Sequence, residues 1–216
     1  MAHQLAGVLI VVEGIDGAGK STLIQQVNGL LQKQHTVITT KEPGGSMLGT
    51  HLRSLLQHQP FPIAPRAEYL LFAADRAQHF HDVVIPGLTN GALVLSDRMS
   101  DSSLAYQGYG RGHDLETIHM INRWTMHDIT PDITIYLKIP LDRAYERMHQ
   151  RKETLTTYEK EQRSFMERVA HGFDTLYKNR TDVLILDAQQ DSEVLAQQAH
   201  NYIVAWINAH RKASNQ

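Results

Sequence analysis

The sequence predicts an α/β fold: a three-layer α/β/α sandwich on a five-stranded parallel sheet. Three observations carry that expectation. Residues 7–13 (GVLIVVE) form a continuous apolar run rich in β-branched side chains, the pattern of a strand buried on both faces. Short runs of this kind alternate with longer segments of helical periodicity, and parallel strands need such crossovers. Polar and glycine-rich residues collect after Glu13, Lys41 and Ser96, at the carboxyl ends of predicted strands. Open parallel sheets bind ligands at that rim.

The remaining elements follow in order. A glycine-rich turn after Glu13 leads into an amphipathic helix over 20–34, and a second strand, 36–41, stops at Glu42-Pro43-Gly44-Gly45. Helices are predicted over 47–57 and 65–89. The third strand, 92–96 (ALVLS), is closed by Asp97-Arg98. A helix over 114–129 starts near Asp114 or Thr117, whose side chains suit a cap. A fourth strand, 133–139, follows Pro131-Asp132; then come helices over 141–151 and 158–177, a fifth strand over 183–186, and a last helix over 192–209. There is no repeat, low-complexity tract or linker, so one domain over 1–216 is expected.

Composition narrows the function classes. At 216 residues with 42% hydrophobic content the chain can bury a substantial core, and a net charge of −2 gives no general attraction to nucleic acid or anionic membrane. The absence of cysteine excludes disulfides, thiolate catalysis and zinc–sulfur sites, and fits a reducing, cytoplasmic compartment. The 13 histidines, among them His35, His51, His58, His79, His81 and His113, are scattered without metal-ligand spacing and read mostly as surface residues. Met1-Ala2-His3-Gln4 has neither the basic region nor the cleavage site of a secretory signal, and no apolar run approaches the ~20 residues of a membrane span.

One contiguous motif carries chemistry by itself. Gly14-Ile15-Asp16-Gly17-Ala18-Gly19-Lys20-Ser21, followed by Thr22, fits G-x-x-x-x-G-K-[ST] between a buried strand and a helix. Glycines let successive N–H groups turn toward phosphate oxygens, and the helix start adds its positive dipole end. Lys20 then reaches the β- and γ-phosphates of a nucleoside triphosphate, and the Ser21 hydroxyl ligates Mg²⁺. The alternative is a chance glycine-rich turn, which the strand-to-helix setting disfavours. GTPases, ATPases and small-molecule kinases all use this motif, so it does not name the acceptor.

Several further stretches resemble the thymidylate kinase family over nearly the whole chain, in its lid-arginine branch. They are 13–22 (EGIDGAGKST), 41–45 (KEPGG), 53–56 (RSLL), 71–76 (LFAADR), Asp97-Arg98, and 101–108 (DSSLAYQG) running into Gly110-Arg111-Gly112. The resemblance implies transfer of the γ-phosphoryl group of ATP to thymidine monophosphate (dTMP) with Mg²⁺, in a homodimer; as contact surfaces the helices near 65–89 and 114–129 are candidates. It implies that Asp16 accepts the 3′-OH of dTMP, that Phe72 stacks on thymine and that Arg76 donates to its O4. It further implies that Arg98 grips the acceptor phosphate, that Ser103 and Gln107 meet the base edge and that Tyr106 blocks a ribose 2′-OH; Arg53 is a second candidate for the acceptor phosphate, and Glu42 and Pro43 are expected to shape the pocket.

Simpler roles stand beside these. Asp16 alternatively caps loop N–H groups. Phe72 and Tyr106 alternatively pack the core, Arg76 makes a surface ion pair, Arg53 is a solvated helix position, and Pro43 only ends a strand. Asp97 either organises Mg²⁺-bound water or orients Arg98.

Arg143, Arg147 and Arg151 recur every four residues and share one helical face, followed by Lys152. Such a face is either simply solvated or part of a lid, over about 143–160, that closes on phosphate. Gly17 and Ala18 stand where one family branch carries an arginine, so the resemblance implies a catalytic arginine from the lid: Arg151 ahead of Arg147. The chain departs from the family with Thr156-Thr157-Tyr158-Glu159 for Asp-Arg-aromatic-Glu, Lys41 for arginine, and Met99 for an aromatic. No general base is required, because a phosphate monoester with its second pKa near ~6 is mostly dianionic at neutral pH. A deoxynucleoside kinase, with Glu42 or Asp97 as base for a 5′-OH, and a non-catalytic nucleotide-binding protein remain as competing readings.

Overall fold

The computed structural model describes residues 5–58, 61–150, 156–159 and 161–213. Its centre is a parallel five-stranded sheet in the order β2-β3-β1-β4-β5. These strands are β1 (Val8–Glu13), β2 (Val37–Lys41), β3 (Leu93–Asp97), β4 (Ile133–Lys138) and β5 (Val183–Asp187). Every bound lies within one residue of the sequence expectation, because buried β-branched runs between turn residues leave little choice.

Register puts the chemistry on one rim. Val12 pairs with Asp97 across β1 and β3, Lys41 pairs with Asp97 across β2 and β3, and Glu13 pairs with Tyr136 across β1 and β4. The chain leaves β1 toward β2 and β3 on one side and returns to β4 and β5 on the other, so a crevice opens above the end of β1. Alternate side chains of β1 serve opposite layers. Leu9 and Val11 join a cluster with Phe80, Val84 and Leu88, while Ile10 and Val12 join a larger one with Leu23, Val27 and Ile203. Each such side chain contributes roughly 1.5–3 kcal/mol on full burial.

The helices are α1 (Lys20–Leu31), α2 (Met47–His58), α3 (Pro65–His79), α4 (Ile85–Thr89), α5 (Ser100–Ser103), α6 (Leu115–Thr125), α7 (Leu141–Gln150), α8 (Arg163–Tyr177) and α9 (Ser192–Ala213). Three differ instructively from expectation. The run over 65–89 is continuous but widens into a π-helical turn, Phe80–Val84, between α3 and α4. Pro86 explains it: a proline removes one N–H and clashes with the carbonyl four residues back, and a widened turn relieves both. Helix α6 stops four residues early because His127 and Asp128 take left-handed φ values of 52° and 59°. Its start is as read, with Asp114 accepting from the Thr117 N–H at 2.8 Å. Helix α8 begins at Arg163, so 156–159 is a turn rather than helix.

Periodicity gave no helix over 100–110. There α5 continues into a π-helical segment, Leu104–Gly110, that packs on α8. No helix among the described residues is long and apolar enough to cross a membrane.

Candidate active site

A single cleft of about 870 Å³ runs along the rim from Leu195 and Gln190 to Phe72 and Gln107. That is near the upper end of the ~300–1,000 Å³ usual for small-molecule pockets. One end is made by the phosphate loop. Gly17 is required there by its φ of +82° and because a Cβ would lie 2.5 Å from the Ala144 carbonyl oxygen. Gly19 caps α1 without a side-chain bond, so the first-turn N–H groups face the cleft.

Lys20 Nζ donates to the carbonyls of Gly14 at 3.1 Å and Ile15 at 3.0 Å, folded back along the loop. Burial, then the charge of Arg98, pushes its ammonium down to about 8, against the opposing pull of Asp97, Asp16 and Glu13. The Ser21 hydroxyl lies 3.0 Å from an Asp97 carboxylate oxygen. A hydroxyl and a carboxylate beside a phosphate loop suit Mg²⁺, which takes one or two protein oxygens and completes its shell with phosphate and water. No cluster of three or more His, Cys, Asp or Glu positioned for a metal exists among the described residues.

The middle of the cleft is a triangle. Arg98 adopts φ 71°, costly by about 1–3 kcal/mol for a non-glycine residue. Two bonds hold it there: its N–H donates to Val12 at 2.9 Å and its carbonyl accepts from the Ser96 hydroxyl at 2.8 Å. The twist sends the guanidinium back over the loop. There it donates to the Gly14 carbonyl at 2.7 Å, to Ser102 at 3.0 Å, to Asp16 at 2.7 Å and to the Tyr106 hydroxyl at 3.1 Å. Tyr106 in turn donates to the other Asp16 oxygen at 2.9 Å. Burial opposes ionisation of Asp16, but Arg98, Lys20 and the Tyr106 bond together hold its carboxyl well below the usual range. Sequence reasoning gave these three residues separate roles; the structure joins them.

The far end is walled by Phe72, Arg76 and Gln107. Phe72 is half-buried, with its ring 5.9 Å from that of Tyr158. Arg76 is 2% exposed, which excludes the surface ion pair that was its alternative. It donates from Nε to Glu42 at 2.8 Å, from Nη1 to Asn122 at 2.6 Å, and from Nη2 to the Met99 carbonyl at 3.2 Å and Ser103 at 3.0 Å. Gln107 reaches Glu68 at 3.4 Å, and Arg53 donates to the Pro43 carbonyl at 2.8 Å. Phe72, Arg76, Glu42, Ser103, Gln107 and Arg53, with Pro43 and Thr22, line the same cleft, while Asn122 and Glu68 lie behind it.

Four contributions were not foreseen. Glu13 is fully buried and accepts from the Met99 N–H at 2.8 Å and the Ser102 hydroxyl at 2.6 Å, pinning the turn that carries Arg98. Burial raises its carboxyl to about 7, with Asp101 adding and Arg98, Ser102 and Met99 opposing. Its signal was a charge ending an apolar strand. His79 corrects the reading of the histidines as surface residues: it is 0% exposed and bonds Glu42, because it lies one turn beyond Arg76 on the inner face of α3. Asn122 gave no local signal. Nor did Ala188, Gln190 and Ser192, which follow β5 and line the phosphate-loop end of the cleft.

The chain's sequence from residue 12 to 199 matches the family model for thymidylate kinase. The chain belongs to the thymidylate kinase family. It is 40% identical over 203 residues to a thymidylate kinase of Exiguobacterium sp., covering 93% of this chain and 95% of the relative. A thymidylate kinase of Synechococcus sp. is 45% identical over 188 residues, covering 83% and 88%. Among solved structures, that of thymidylate kinase from Ehrlichia chaffeensis superposes with a TM-score of 0.75 at 27% identity, covering 91% of this chain and 98% of that one. The α/β fold read from the sequence is therefore the thymidylate kinase fold.

Arg147, Thr156, Tyr158 and Glu159 are the parts of the expected lid that meet the cleft among the described residues. Arg147 donates to the Ala188 carbonyl at 2.8 Å and the Ala18 carbonyl at 3.4 Å, bridging the phosphate loop and the loop after β5. Those contacts lie at the phosphate-loop end of the cleft, away from Phe72 and Arg76. Arg151 and Lys152 lie outside the described residues. Thr157 donates from both its N–H and its hydroxyl to the Gln57 carbonyl, at 3.0 and 2.8 Å. Tyr158 packs between Phe72 and Tyr106, its ring centroid 6.0 Å from that of Tyr106.

Proposed function

We propose that this chain transfers the γ-phosphoryl group of ATP to dTMP, giving ADP and dTDP. The observation that carries the proposal is one cleft with two cationic grips, Lys20 toward the phosphate loop and Arg98 toward the Phe72–Arg76 wall. ATP phosphates lie on the loop N–H groups, with Lys20 leaving its two carbonyls to meet them. The donor nucleoside runs toward Arg147, Ala188 and Gln190. The acceptor phosphate takes Arg98 and Arg53, its sugar 3′-OH donates to Asp16, and its base lies on Phe72 with O4 toward the one Arg76 N–H not claimed by a bond above. Tyr106, held to Asp16, occupies the space of a 2′-OH.

The attacking group is a phosphate oxygen already ionised at neutral pH, so no residue is asked to remove a proton. Repulsion between the two anions is the barrier, and fixed cations in a cleft closed to water lower it. Ser21 and Asp97 would hold Mg²⁺, which would supply neutralisation of charge on the phosphates. The lid over 143–160 closes the site, with Arg147 ordering the donor end and Arg151 the candidate for the transferring group.

Three broader readings accompany this. Exposed Leu70 on α3 and Met120 and Trp124 on α6 support a homodimer through those faces. The cysteine-free composition fits a cytoplasmic enzyme. One sheet with a shared core supports a single domain.

ADP release coupled to a spectroscopic readout, with dTMP, dUMP, UMP, CMP and thymidine as acceptors, tests the proposal. Turnover is expected with dTMP first and dUMP second. Turnover with thymidine but not dTMP would instead make this a nucleoside kinase.

A further inference from the structure

Outside the phosphate loop, buried charge concentrates where the end of β2 meets α3. Glu42, Asp75, Arg76 and His79 are each 4% exposed or less. Glu42 divides its two oxygens, one accepting from Arg76 Nε at 2.8 Å and the other from His79 Nδ1 at 2.9 Å. Burial works against the Glu42 charge, but Arg76 and the His79 bond hold its carboxyl below the usual value, so it is ionised. An ionised carboxylate only accepts, so Nδ1 carries the proton. The other ring nitrogen lies 2.6 Å from the Thr40 hydroxyl. The Gly45 backbone closes the remaining side, where a Cβ would collide with His79 Cδ2. The imidazole therefore has one orientation.

The consequence reaches the base wall through two bonds. The Nε–Glu42 bond sets the roll of the guanidinium plane, and that roll aims the remaining Nη1 proton. Without His79, the Glu42 carboxylate loses the donor that stops it turning about its own side chain. A fraction of an ångström at such a support is enough to loosen a recognition group.

We propose that His79 is a positioning residue for Arg76, acting through Glu42, and that it thereby sets discrimination at the 4-position of the acceptor base. This rests on the reading that Arg76 donates to O4 of the pyrimidine. A 4-oxo group accepts from that donor; a 4-amino group presents a donor to a donor.

The test measures kcat and KM for dTMP and for 5-methyl-dCMP, at saturating ATP, in the full chain. The variants are His79→Leu, His79→Asn, His79→Gln and Arg76→Met. His79→Leu is expected to raise KM for dTMP about tenfold, leave KM for ATP within about twofold, and cut the dTMP to 5-methyl-dCMP ratio of kcat/KM about tenfold. His79→Asn places an amide N–H near Nδ1 and is expected to restore that ratio to within about threefold. His79→Gln reaches the Thr40 side instead and restores nothing. An unchanged ratio in His79→Leu overturns the proposal, and so does recovery by Gln without recovery by Asn. The Asn and Gln pair decides alone if the Leu variant fails to fold. A full ratio in Arg76→Met would refute the base-reading role of Arg76 itself. A ratio lost in Arg76→Met but kept in His79→Leu would remove only the relay.

Discussion

In the proposed site the donor end grips with main chain, whereas the acceptor end grips with side chains. At the donor end, left-handed glycines and the uncapped start of α1 present N–H groups, and Lys20 and Ser21 follow directly in the sequence. At the acceptor end, Arg76, Glu42, His79, Asn122 and Ser103 come from four separate stretches of chain and meet in a buried network. A phosphate is symmetric and highly charged, so a curl of backbone dipoles serves any nucleotide. A base edge is asymmetric and neutral, and only donors held at fixed angles distinguish it. The first solution is local; the second needs a folded core to exist at all.

That contrast can be broken by substitution. Lys20→Ala should fall hardest, lowering kcat about 10³-fold with dTMP affinity nearly kept; single-turnover kinetics separates the two. Arg98→Ala should lower kcat/KM for dTMP about 10²-fold while ATP affinity stays within about threefold, and an equal loss of ATP binding would place Arg98 on the donor side instead. Phe72→Leu keeps bulk but loses the aromatic face, so KM for dTMP should rise about tenfold, in line with ~1–3 kcal/mol per stacked base.

Glu13 sharpens the comparison through pH. Its carboxyl ionises near 4.5 unperturbed but near 7 in the fold, so the native state holds a proton that the unfolded chain releases. Stability from this group is complete below pH 4.5 and is lost as pH rises through 7. At ~1.4 kcal/mol per pKa unit the loss is about 3 kcal/mol. Glu13→Gln should therefore gain on the natural chain between pH 5 and pH 8 in denaturant titrations; parallel pH profiles would refute the assignment. The smallest effect is expected from Tyr106→Phe, which removes the hydroxyl between Asp16 and Arg98. It should lower kcat/KM for dTMP about fivefold, consistent with one charge-assisted hydrogen bond.

Legibility followed the same divide. Asp97 and Arg98 were placed at the rim from sequence because they end a buried strand, but the Arg98–Asp16–Tyr106 triangle depends on a left-handed Arg98 that no local rule demands. His79 looked like one more scattered histidine; only its turn of α3 and the approach of Gly45 bury it. The start of α8 was misplaced by five residues because Tyr158 has helical spacing to later apolar residues, yet it packs on Phe72 and Tyr106 instead.

By itself the sequence determined the parallel sheet, the phosphate loop and the family, because strand hydrophobicity and glycine conformational freedom act over a few bonds. The tertiary structure alone decided which polar groups meet: Glu42 with His79 and Arg76, Glu13 with the Arg98 turn, Arg147 with the phosphate loop and the loop after β5. Hydrogen-bond partners far apart in the chain are chosen by where helices and strands pack, and that choice is made only when water is excluded around them.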